Sequence, residues 1–275
     1  MKRYGISNLK PWTYIIFCLL LLSCKGEKQK TIAPRDYPEI IESGVLHAVT
    51  EYNSISYHAQ NDTVVGLHYE LLQTFAKEKG LKVELTPEMS LTDRSQGMQD
   101  GTYDLLANNV LISSERNDSL LYTHPFLLSK QVLVQRKPQS ENDSTFIHNQ
   151  LELSNKTLHM IKGSPSIHRI RNLSNEIGDT IFIQEVDKYG MEQLLIMVSY
   201  GEIDYAVCDE SIAMASLDEL PNLDIDTKIS FTQFYAWGVN KNSTILLDSL
   251  NVWIDRYKET PEFQKLVKKY IHAIN

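Results

Sequence analysis

The sequence predicts an α/β fold made of two successive β–α series, each a mixed sheet flanked by helices. Three observations predict it. Short apolar strands alternate with amphipathic helical stretches from about Gly44 to Asn108. A second series of the same kind runs from Thr157 to Val207. The polar, Ser/Asn/Asp-containing segment 137–150 parts the two.

The composition fits this class. The chain has 275 residues, 42% hydrophobic and 23% charged, an ordinary globular mixture that excludes overall disorder, collagen and coiled coil. Its net charge of −8 argues against a surface that tracks nucleic-acid phosphates. Three cysteines cannot build a disulfide scaffold.

The first residues read as a leader. Lys2, Arg3 and Lys10 precede the apolar run Tyr14–Leu22, too short to span about 30 Å of hydrocarbon unaided. The run ends in Leu21-Leu22-Ser23-Cys24, which resembles the bacterial lipobox, whose cysteine is diacylated and becomes the new N-terminus. On that reading residues 1–23 are a signal peptide, Cys24 is the lipidation site and 24–36 is a polar tether. Two or more acyl chains give the stable anchoring that one alone does not. An ordinary secretory signal with a chance cysteine is the other reading.

In the first series Val45–Thr50 is a strand. Tyr69–Lys79 sets Leu71, Leu72, Phe75 and Ala76 on one helical face, and Gly80 suits the left-handed stop. Leu81–Leu85 alternates as a strand, a helix carries Met98 and ends at Gly101, and Tyr103–Asn108 is a strand. After the apolar strand 130–136 come a strand at Thr157–Ile161, a helix from about Pro165 to Asn175, a strand at Thr180–Ile183, a helix over Gly190–Tyr200 and a strand at Ile203–Val207. The chain returns through Phe231–Asn240 into helices at about 243–258 and 261–272. Thr260 is the candidate N-cap of the last, with Pro261 in its first turn.

Catalytic patterns are absent from the sequence: no G-x-S-x-G, no phosphate-binding glycine loop, no HExxH. The eight histidines show no metal-ligand spacing. His58 and His68 stand near an expected loop, and no metal or other cofactor is expected. Cys208 follows an apolar strand as a small buried residue.

The functional candidates lie at strand ends, where open α/β sheets bind ligands. Arg116 suits bidentate capture of a carboxylate, or pairs locally with Glu115 or Asp118. Asp209 suits an ammonium group, or caps the helix that follows, as Ser211 also would. Ser164, in Gly163-Ser164-Pro165-Ser166, suits an anion or a helix cap. Tyr52, Asn53, Ser54 and Tyr57 follow the first strand, where the tyrosines suit ligand walls or packing.

These segments occur in a familiar order. Gly44–Thr50, the helix start Val65–Leu72, Asp100–Asp104, Ser113–Arg116 followed by Tyr122–Phe126, and Gly201–Val207 with Asp209 together resemble the motifs of the family 3 extracellular solute-binding proteins. Within that family, Tyr52–Tyr57 and Tyr235–Ser243 are similar to the solute-binding-like domain of the membrane-bound lytic murein transglycosylase F group. The chain ends at Asn275, without that group's catalytic domain, so no enzyme activity is expected.

The resemblance implies the type II periplasmic-binding fold: two lobes, 37–134 with 231–275, and 135–230, joined by two hinge strands. It implies that Arg116 holds a ligand carboxylate, Asp209 an ammonium, and Ser164 a further carboxylate contact. Leu111 stands where the family has a small hydroxyl residue, and Asn108 and Asn109 replace its serines. Ser54, flanked by Tyr52 and Tyr57, stands near its stacking aromatic. The implied protein is a monomer, held to the membrane by its lipid alone, that binds an amino-acid-like solute for an ABC importer. The alternatives are a regulatory module acting on a cell-wall enzyme, and an enzyme resembling cyclohexadienyl dehydratase.

Overall fold

The computed structural model describes residues 33–112, 120–141 and 143–271. The expected leader, Cys24, Arg116 and the serines before it lie outside them. The elements are α1 (Tyr37–Ser43), β1 (Val45–Thr50), β2 (His58–Gln60), β3 (Thr63–Val65), α2 (Leu67–Lys79), β4 (Lys82–Pro87), α3 (Leu91–Gln99), β5 (Leu105–Leu111), β6 (Leu120–Tyr122), β7 (Leu127–Ser129) and β8 (Gln131–Arg136), then β9 (Thr157–Ile161), α4 (Ser166–Ile177), β10 (Phe182–Val186), α5 (Met191–Ser199), β11 (Ala206–Asp209), α6 (Glu210–Ser216), β12 (Leu223–Asp224), β13 (Gln233–Asn240), α7 (Thr244–Tyr257) and α8 (Pro261–Tyr270).

Two sheets organise them. The first has the order β4-β1-β5-β13-β6, with β7 also on β13, and the second β10-β9-β11-β8-β12. In each, three parallel strands meet an antiparallel one, β13 in the first and β8 in the second. The sheets therefore exchange strands. β8 belongs wholly to the second, so the first crossing falls at Lys130, ahead of the 134/135 boundary expected from the sequence. Ser230 N–H still bonds to Gln131 C=O, and β13 then rejoins the first sheet.

Local sequence explains much of this. Gly80 closes α2 in the left-handed conformation (φ +70°) that glycine adopts without a Cβ penalty. Gly66, ahead of α2, has φ +145°, and a Cβ there would lie 2.4 Å from the Ser56 carbonyl oxygen. The Thr260 side chain accepts from Phe263 N–H and caps α8. Apolar faces from both sides of the sheets close the core around Phe75, Trp237 and Trp253.

The expected tether overlaps the fold at its end. The Asp36 carboxylate caps α1 and also accepts from Ile245 and Leu246 N–H. Arg35 donates from Nε to Asp104 Oδ1 at 3.0 Å. Both residues are thus fixed by partners distant in sequence.

Candidate ligand-binding cleft

A cavity of about 50 Å³, partly open to solvent, lies between the two sheets. From the first sheet come Glu51, just past the carboxyl end of β1, and Asn108, Asn109 and Leu111 in the last half of β5. Arg94 reaches it from α3 and Tyr235 from β13. From the second sheet come Gln131 at the start of β8, Ile161 at the end of β9, Ser164 and Ser166 at the start of α4, and Met191 at the start of α5.

Of the residues expected from the sequence, Asn108, Asn109, Leu111 and Ser164 line this space. The Ser164 hydroxyl also accepts from Ser166 N–H, the first amide of α4, at 3.3 Å. Tyr52, Asn53 and Tyr57 build the loop after β1 instead of the cavity wall. Asn53 Oδ1 accepts from Ile55 and Ser56 N–H, and the Tyr52 and Tyr57 rings meet edge-on at 6.2 Å. Ser54 N–H donates to Glu192 Oε1 of α5 at 2.7 Å.

Asp209 stands behind the wall. Its Oδ1 accepts from Ser211 N–H at 3.0 Å and from the Ser211 hydroxyl, as the N-cap of α6. The capping role read from the sequence is the one this geometry displays. Burial pushes the Asp209 carboxyl pKa up, against the hydroxyls of Ser211, Tyr235 and Ser129. Burial and the Asp209 charge push the Tyr235 phenol well up, and Tyr235 Oη accepts from Gln131 Nε2 at 2.8 Å. Cys208 beside it is fully buried, and burial raises its thiol as well.

The sequence reading missed the charged pair in the wall. Arg94 Nη2 donates to Glu51 Oε2 at 3.0 Å, with both side chains buried. Arg94 Nη1 donates to the carbonyls of Glu88 and Met89. An arginine in the polar stretch SLTDRSQGM reads as solvent-facing, and no local signal marks it otherwise. Arg94 Nε and Asn108 Oδ1 are buried without a partner among the described residues.

His68 is another difference. It lies in α2 rather than a loop and is fully buried. Its Nδ1 accepts from Trp237 Nε1–H at 2.9 Å, which leaves Nε2–H to donate to Asn109 Oδ1 at 2.8 Å. Burial lowers its pKa to about 4, so the ring stays neutral. Asn109 Nδ2 in turn donates to Ser211 Oγ at 3.3 Å. A hydrogen-bonded chain thus runs from the first core, through the cleft wall, to the N-cap of α6.

Direct bonds join the walls. Met191 N–H donates to Glu51 Oε1 at 3.3 Å, and Ser90 Oγ to Asp187 Oδ1 at 3.3 Å. With Ser54–Glu192 and Asn109–Ser211 they hold the cleft's rim.

Comparison with known proteins places this architecture. Among curated proteins, a membrane-bound lytic murein transglycosylase F from Photobacterium profundum is 27% identical over 264 residues, covering 94% of this chain and 49% of the relative. The chain spans about half the length of the curated relatives it matches. Among solved structures, a mutant of ArgBP from T. maritima superposes with TM-score 0.73 at 21% identity, covering 85% of this chain and 97% of that one. An amino acid ABC transporter substrate-binding protein from Streptococcus pneumoniae, bound to L-arginine, gives TM-score 0.72 at 22% identity, covering 85% and 97%. These two show the shared type II periplasmic-binding fold. The sequence profile of one family matches residues 46–273, nearly the whole of the described fold, and the chain belongs to the bacterial extracellular solute-binding proteins, family 3.

Proposed function

We propose that the chain is an exported, lipid-anchored protein, with leader 1–23, Cys24 as its anchor and a short tether, that captures a small polar solute for an ABC importer. The solute is an amino acid or related zwitterion. The observation that carries this reading is the cavity between the strand ends of two sheets, lined by Asn108, Asn109, Gln131, Ser164 and Ser166. Such amides and hydroxyls offer both donors and acceptors to a polar molecule. Arg116 is assigned the ligand carboxylate. Asp209 enters through Ser211 and Asn109 rather than as a direct contact. Closure follows from bonds that exist only when the walls meet. No catalytic step belongs to this reading.

A second reading is favoured by the curated relatives, which are murein transglycosylases. In it the chain binds a peptidoglycan fragment and regulates a cell-wall partner. Thermal shift of the protein against free amino acids and muropeptides separates the two, because a ligand that binds the native state alone raises Tm by mass action. A rise with a free amino acid supports the first reading and a rise with muropeptides alone the second. No rise with either set counts against both. Arg116→Ala is expected to cost roughly 2–5 kcal/mol of affinity, and unchanged affinity by calorimetry removes Arg116 from the site.

A further inference from the structure

We propose that Arg94 is a specificity-determining residue: its guanidinium fills, from within the chain, the place beside Glu51 that a cationic side group of a solute would take, so the cleft selects solutes whose side group carries no positive charge. The proposal rests on the solute-binding reading above and names the class of solute.

Among the described residues, Glu51 is the one carboxylate that lines the cavity. Both of its oxygens are engaged. Oε2 accepts from Arg94 Nη2 at 3.0 Å, and Oε1 accepts from Met191 N–H at 3.3 Å. Gly190 closes on the same carboxylate, since a Cβ there would lie 2.7 Å from Oε1. Arg94 cannot swing aside without losing its bonds to the Glu88 and Met89 carbonyls as well. Its side chain is 3% exposed, so its charge is little screened by water.

A solute bringing a second cation would face the buried Arg94 with no free carboxylate among the described lining residues to meet it. Like charges set together out of water repel, and such built-in repulsion is a general means of discrimination. Among the described residues the remaining polar wall is neutral, and Asn108 Oδ1 is a buried acceptor without a partner. Removing the Arg94 side chain would leave a space bordered by Glu51 Oε2 and two backbone carbonyls, an acceptor set suited to guanidinium donors.

The test compares wild type, Arg94→Ala and the double variant E51Q/R94A, using ethylguanidinium, L-arginine, L-lysine and L-glutamine as probes. Calorimetry should show ethylguanidinium and L-arginine binding Arg94→Ala at least about tenfold more tightly than wild type, and E51Q/R94A losing that gain. Should Arg94→Ala be unfolded alone, ethylguanidinium should restore a cooperative thermal transition to it by binding the native state. Three results overturn the proposal: wild type binding L-arginine or L-lysine as tightly as L-glutamine, no gain in Arg94→Ala, or a gain that survives in E51Q/R94A. A wild type that binds none of the amino acids argues against the solute-binding reading. The ethylguanidinium arm needs no natural ligand and still decides the role of Arg94.

Discussion

The two walls of the cleft handle buried acid differently. On the first wall, Glu51 is paired with Arg94 and borders the cavity. On the second, Asp209 has no cation beside it among the described residues, is held by the first turn of α6, and sits behind Gln131 and Tyr235. Both acids stand at the carboxyl end of a strand, and neither offers a free carboxylate to the space between. The lesson is that an acid at a strand end does not by position alone make a ligand contact. Its charge is first settled by whatever the fold places next to it, because an unpaired buried carboxylate is costly.

The largest test of this contrast breaks the first wall. Arg94→Ala leaves Glu51 buried and unpaired, with an expected loss of about 3–5 kcal/mol in urea unfolding. Replacing the pair together, as E51L/R94M, should recover most of it.

Next is the histidine that supports Asn109. His68 is neutral in the fold, with its pKa lowered from 6.5 to about 4. Between those values the unfolded chain binds a proton that the folded chain does not. Stability should therefore fall as pH drops from 6.5 towards 4, by about 1.4 kcal/mol per pH unit from this group. His68→Gln should remove that part of the slope in denaturation measured across the range, and an unchanged slope would place the titration elsewhere.

The second wall should yield less. Asp209→Ala loses the α6 cap for about 1 kcal/mol, and Asp209→Asn, which keeps an acceptor, should lose less. Because its folded pKa is raised, Asp209 weighs against the fold above that pKa and is relieved as pH falls through it. The Asn variant should thus compare best with wild type at neutral pH and worst in acid. A loss of the same order is expected at the rim, where Ser54→Ala removes one part-buried bond to Glu192, worth about 0.5–1.5 kcal/mol.

The sequence made most of the elements legible. Glycine stops, the Thr260 cap and apolar spacing located α2, α8 and both β–α series to within a few residues. The hairpin β2–β3, strands β6, β7 and β12 and helix α1 went unread. They are short, and pairing or capping by distant partners selects them more than their own pattern does. In the cleft, Asn108, Asn109, Leu111 and Ser164 were legible through motif position. Glu51, Arg94, Gln131 and Tyr235 were not.

By itself, then, the sequence determined two α/β series, their strand ends and the family to which the motifs point. Those features come from periodicities and caps that act within a few residues. Only the tertiary structure decided which polar groups face the cleft and which are already satisfied. Glu51 finds Arg94 43 residues away and Met191 140 residues away. No local pattern encodes such a meeting, because it depends on how the two sheets exchange strands and bring their ends together.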